Sequence, residues 1–181
     1  MTAARPLDVL GTVLRLGLAA VWLVSGVLKL SEPFTTAVAV AAYRVLPDAL
    51  VVPVATLLPP VEIALGLLLL AGLATRLAAV VGTVLLVAFV AGLVQAWARG
   101  LAIDCGCFGG GGPVDPDDTR YGPSLLRDLA FTAAAVFLAV RPRTLLSLDG
   151  RAERAGRRAD ERVPAHDHHD RRGPADATEE R

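Results

Sequence analysis

Apolar residues fall into four long runs, separated by short polar or proline-marked segments. Leu77 to Ala98 is a run of 22 residues without a charge, about the length that spans the hydrocarbon core as a helix. Ala49 to Thr75 carries one charge, Glu62, and Val9 to Leu28 carries one, Arg15. A fourth run extends from about Ser124 to Val140, with Arg127 and Asp128 near its start. It reaches spanning length only if that charged turn sits at the interface or inside a bundle. The pattern predicts an all-α, polytopic membrane protein: a four-transmembrane-helix bundle with a disordered C-terminal tail. A cleaved leader is the alternative reading of the first run, since Arg5 precedes it. Arg15 interrupts that run, and it is long for a signal h-region.

Between the runs, Pro33 and Pro47 bracket a stretch that reads as an amphipathic or irregular connection, with room for a short interfacial helix. Pro53, Pro59 and Pro60 fall in or near the second span and are expected to kink or break it. Gly66, Gly82 and Gly92 are expected to let helices approach closely. Trp97 fits an outer aromatic belt.

Charge sharpens the division of the chain. Residues 1–150 hold 20 charged side chains, ten of each sign, while residues 151–181 hold 16. The membrane domain is assigned to 5–145, and 149–181 to a charged, disordered, cytoplasmic tail with few large apolar residues. No surplus of positive charge exists to neutralise phosphates, so nucleic-acid binding is excluded as a function class and the lipid bilayer is the expected surrounding. Arginine placement sets the orientation. Arg5, Arg76, Arg141 and Arg143 lie on one side, and Lys29, Arg44, Arg99 and Arg120 on the other. The short Arg76 connection and the Arg141/Arg143 pair put both termini of this multi-pass protein in the cytoplasm. Loops 31–48 and 99–123 then face outward.

The outward loop contains Asp104-Cys105-Gly106-Cys107-Phe108-Gly109 and three further glycines, the only two cysteines of the chain among them. Bridging needs Cα atoms about 4.4–6.8 Å apart, which residues two apart reach only when bent, and Gly106 permits the bend. The pair reads as a catalytic thiol–disulfide exchange site, which would make the chain a thiol–disulfide oxidoreductase. A passive loop disulfide and two packed free thiols are the alternatives. No metal is expected: a closed zinc site takes four ligands, and His166, His168 and His169 lie in the tail. Charges inside spans are costly and usually face the bundle interior. Arg15 and Glu62 lie at comparable depth and can pair, with Arg127 as a rival partner. Arg15, Glu62, Arg127 and Asp128 are read as supporting intramembrane charges, either fixing helix packing or shaping a proton or quinone-head-group site. Lys29 is read as snorkelling to the outer interface. No cofactor motif is evident, so a quinone is an expectation from chemistry alone.

The order of these residues resembles a known family. Arg15, Ser25-Gly26 and Lys29 are followed by Pro33-Phe34, Tyr43 and Leu46-Pro47. Pro60, Glu62, Gly66, Gly72 and Arg76 come next, then Phe89, Gly100, the Cys-Gly-Cys-Phe-Gly string and Arg127-Asp128. Over roughly residues 5–145 the chain resembles the methylamine utilisation protein MauE and the wider DoxX-like group of small four-helix membrane proteins. The resemblance implies a plasma (inner) membrane protein with a role in methylamine metabolism, and with thiol–disulfide handling or maturation of an extracytoplasmic partner such as the methylamine dehydrogenase small subunit. Two rival functions remain: a non-catalytic membrane assembly subunit, and a DoxX-like quinone-linked subunit or small transporter.

Overall fold

The computed structural model describes residues 6–108, 110–142, 144, 147 and 148. The expected tail, 149–181, and its histidines lie outside the described residues. Five α-helices follow in order: α1 Pro6–Ser31, α2 Pro33–Ala42, α3 Asp48–Ala71, α4 Thr75–Ala98 and α5 Tyr121–Val140. Four segments are long and apolar enough to cross a membrane, the last counted from Pro116 through a 3-10 turn into α5. The chain is thus an all-α bundle of four candidate spans, as the apolar runs predict. The connection bracketed by prolines is the short helix α2, which starts on Pro33, a residue whose fixed φ suits the first helical position.

Small residues inside and large ones outside organise the bundle. The shared core takes Leu18, Ala19 and Trp22 from α1, Leu65 and Leu69 from α3, Ala78, Ala79 and Leu86 from α4, and Ala135 and Leu138 from α5. Val13, Leu57, Leu77, Val84, Leu126 and Val140 are exposed, as side chains facing lipid would be. The tightest pairing is α1 against α3. A Cβ built on Gly66 would lie 3.0 Å from the backbone nitrogen of Leu23, and one on Gly26 would lie 2.9 Å from the Pro59 carbonyl oxygen. Gly66 thus acts as expected, and Gly26 is a second close-approach position. Gly82 meets the Trp22 ring and Gly92 the Tyr43 ring.

Two expectations change. The three prolines do not divide the second span, because α3 runs unbroken from Asp48 to Ala71. A bundle tolerates the lost helix donors where neighbouring segments cover the freed backbone, and here Pro59 is buried against Gly26 of α1. The loop after α4 is also partly ordered as sheet. Strands β1 Ile103–Asp104 and β2 Gly112–Pro113 pair antiparallel, with Ile103 opposite Pro113. Two residues per strand are too few for an alternating pattern to announce itself.

Helix ends fix the loops. Gly72 closes α3 in the left-handed conformation at φ 65°, and Leu73 N–H reaches back to the Leu68 carbonyl at 3.0 Å. Gly100 does the same for α4, with Leu101 N–H on the Ala96 carbonyl at 3.0 Å. Beyond Gly100 the chain is pinned by a second small core of Leu93, Ala96, Ile103 and Tyr121. The Tyr121 hydroxyl accepts from Ile103 N–H at 3.3 Å and donates to the Leu101 carbonyl. Trp97 stacks on the Tyr121 ring at 6.0 Å.

Candidate functional site: a dithiol loop over a buried ion pair

The β1–β2 turn carries the Cys-Gly-Cys sequence into the end of the bundle where α1 and α4 finish and α5 begins. Gly106, at φ 68°, and Gly111, at φ 94°, hold the turn in the left-handed region. A Cβ on Gly111 would lie 2.6 Å from the Gly106 Cα, so the two glycines let the loop fold onto itself. Asp104 Oδ1 accepts the Cys105 N–H at 2.8 Å, and the Tyr43 hydroxyl donates to the Cys105 carbonyl at 2.9 Å. Phe108 continues inward and meets Phe131 of α5 edge-on at 6.5 Å. Phe131 is ten residues into α5, about 15 Å along it, so the loop enters the bundle rather than capping it.

Both cysteines are free thiols, partly exposed, with their sulfurs 2.6 Å apart. Asp128 Oδ2 lies 3.9 Å from each sulfur. Its Oδ1 accepts from Arg127 Nε at 3.0 Å. Arg127 Nη2 lies 3.7 Å from Cys105 Sγ, and its guanidinium sits 4.9 Å over the Phe108 ring. The hydrogen bond from Cys107 is the largest influence on Cys105 and brings its thiol down to about 7, with Tyr43 and Arg127 acting in the same direction. The same bond, together with burial, pushes Cys107 up. Burial and the neighbouring thiols push the Tyr43 hydroxyl up as well, which keeps it a donor. These neighbours favour the thiolate at Cys105 and the thiol at Cys107. The thiolate is the form of a cysteine that attacks a disulfide.

Beneath the loop, Glu62 is fully buried and pairs with Lys29, Oε1 to Nζ at 2.5 Å. Lys29 Nζ also donates to Ser25 Oγ at 2.9 Å and lies 5.4 Å from the Phe89 ring centroid. The Ser25 hydroxyl faces two acceptors, Glu62 Oε2 at 3.1 Å and the Cys107 carbonyl at 2.6 Å. It has one proton to give, so it ties the ion pair and the loop together through a shared donor.

This corrects the expected Arg15–Glu62 pair. Arg15 is buried, but its Nη1 donates to the Leu69 and Leu70 carbonyls at 2.8 and 3.3 Å. It thereby satisfies the C-terminal end of α3, where a cation is favoured. The antiparallel register places Arg15 opposite Leu69, seven residues or about 10 Å from Glu62. Arg127 is not the rival partner either, since it bonds its neighbour Asp128. Lys29 does not snorkel: it is buried, and it lies one helical turn from Ser25 on the face turned to Glu62. A transport path lined by Arg15 and Glu62 loses its motif, because each charge has a separate partner. Of the expected site residues, the fold brings together Cys105, Cys107, Arg127 and Asp128, stacks Glu62 below them through Ser25, and leaves Arg15 toward the other end.

Sequence reasoning undervalued Lys29, Ser25 and Tyr43. A signal was present: Lys29 is the only lysine of the chain, and it stands four residues from Ser25 at the end of a span. Asp128, expected only as a supporting charge, stands as an acceptor beside both sulfurs. Cys105, Cys107 and Asp128 offer three ligand atoms within 4.8 Å of one another. They are the described residues that could hold a metal, although Arg127 puts a positive charge on the same sulfur.

A family model described as "Methylamine utilisation protein MauE" matches residues 7–141. No curated protein and no solved structure matches the chain. With about three quarters of its length covered, the chain belongs to the MauE family, and with its four apolar helices it is a multi-pass membrane protein.

Proposed function

We propose, from the premise of a MauE-family membrane protein, that the Cys105/Cys107 pair exchanges disulfides with an extracytoplasmic redox protein. The observation that carries the reading is the pairing of two free thiols with sulfurs 2.6 Å apart, the Cys105 thiol brought down to about 7. In the accepting direction, the Cys105 thiolate attacks a partner disulfide, a mixed disulfide forms, and one partner thiolate leaves. Cys107 then attacks Cys105 Sγ, the intramolecular disulfide closes, and the second partner thiolate leaves. The partner is reduced by two electrons and the pair is oxidised by two. Run in reverse, the same steps deliver a disulfide to a substrate.

The arginine distribution supports an inner-membrane placement with both termini cytoplasmic, which puts the loop in the compartment where disulfides persist. The family description supports a link to methylamine utilisation. The partner class that follows is a disulfide-bearing extracytoplasmic enzyme, such as the methylamine dehydrogenase small subunit, and a membrane quinone is the natural onward carrier of electrons. A second reading, an assembly subunit with a passive loop, draws on the anchoring of the loop by Tyr43, Ser25 and Tyr121.

Labelling of intact spheroplasts with a membrane-impermeant maleimide tests the placement. Mild reductant is expected to make both cysteines reactive from outside, and reoxidation to remove the labelling. Labelling only after the membrane is opened would reverse the orientation and remove the extracytoplasmic partner.

A further inference from the structure

We infer that Asp128 is the proton acceptor for Cys107 in the step that resolves the mixed disulfide. The inference rests on the exchange reading and assigns it a catalytic base. Once Cys105 is tied to a partner, Cys107 must lose its proton before it can attack, and burial opposes that loss. Asp128 Oδ2 lies 3.9 Å from Cys107 Sγ, and the carboxylate is 2% exposed, so bulk water does not take its place. Arg127 holds the other oxygen at 3.0 Å and orients the group. The ordinary role of an aspartate at this depth is to fix helix packing. Asp128, however, aims an oxygen at the two sulfurs and makes its ion pair with the adjacent residue of its own helix.

The step balances. The S–H proton of Cys107 moves to Asp128 Oδ2. The resulting thiolate forms the S–S bond with Cys105 and displaces the partner sulfur as a thiolate. The proton on Asp128 then passes to that leaving thiolate or to water. The charged and titratable groups around the reacting atoms are Arg127 from α5, Cys105 and Cys107 from the loop and Tyr43 at the end of α2, with Lys29 of α1 reaching the loop through Ser25.

The two steps separate with dithiobis(nitrobenzoate) as the disulfide and the full, reduced chain in lipid nanodiscs. The wild type is expected to release two coloured thiolates, the first on forming the mixed disulfide and the second on resolving it. Asp128→Asn should release the first at least as fast as the wild type, because it removes a negative charge that opposes ionisation of Cys105. It should release the second about 10²-fold more slowly at neutral pH, the lower range for loss of a general base. That second phase should recover as pH rises and hydroxide replaces the carboxylate, and Asp128→Glu should restore most of it. A second phase in Asp128→Asn within threefold of wild type would overturn the assignment. Should Asp128→Asn fail to fold, a solvent deuterium isotope effect on the wild-type second phase that exceeds that on the first decides in favour, and equal effects decide against. Absence of the first release from the wild type would instead remove the exchange reading itself.

Discussion

Glu62→Leu is expected to destabilise the bundle by about 3–5 kcal/mol, because it leaves the Lys29 ammonium buried without its counter-charge. That is a large share of the roughly 5–15 kcal/mol that holds a typical domain folded. The carboxylate it removes is fully buried and takes hydrogen bonds from both Lys29 and Ser25. Lys29→Met is expected to cost a similar amount by orphaning Glu62. The double variant Lys29→Met/Glu62→Leu should recover most of the loss, since apolar replacement of a whole buried pair is often neutral or stabilising. Thermal unfolding of the purified variants in one detergent measures all three. Independent, additive losses in the double variant would show that the two groups do not act as a pair. The exchange chemistry should not recover with stability. The double variant still lacks the groups that share Ser25 with the Cys107 carbonyl, so it should fold well and exchange more slowly.

Cys105→Ser is expected to bring disulfide exchange down to the uncatalysed background, since a hydroxyl replaces the thiolate that attacks. Cys107→Ser should behave differently. It leaves Cys105 able to attack but removes the sulfur that resolves, so it should accumulate a mixed disulfide with the partner. Cys107→Ala, unlike Cys107→Ser with its hydroxyl donor, also removes the hydrogen bond that does most to lower Cys105. The pH above which Cys105 reacts with an alkylating reagent should therefore move up from about 7 toward the ordinary thiol range near 8.5. The sign follows from which form is favoured: a lowered thiol is ionised over more of the pH range, and loss of its donor shrinks that range. Rates of iodoacetamide labelling between pH 6 and 10 check the shift. Equal exchange rates in the two serine variants would argue against distinct roles for the sulfurs.

Much of the bundle was legible because spanning length and charge scarcity are strong signals. The charge-free run ending at Ala98 became α4 with its end in place, and Gly66 in α3 marked a close helix approach. The site was legible in its chemistry but not in its wiring. Cys-Gly-Cys in a glycine-rich loop announced a dithiol. What the sequence left open was which cation meets Glu62. Counting depth from span ends made Arg15 look suitable, whereas the register between α1 and α3 is set by Gly26 and Gly66 fitting against Pro59 and Leu23. That register brings Ser25 and Lys29 to Glu62 and sends Arg15 to the carbonyls at the end of α3. The break expected at the prolines is absent for a related reason. Local propensity predicts a break at Pro59-Pro60, and packing across α1 keeps the helix whole.

An exchanging Cys105/Cys107 pair differs from a loop staple in how readily it is reduced. Equilibration of the purified protein with graded glutathione buffers, followed by alkylation of remaining thiols, tests that difference most directly. A reversible two-electron transition with a midpoint above about −250 mV is the expected result, and a pair that stays oxidised below about −300 mV, the range of structural disulfides, would contradict the account.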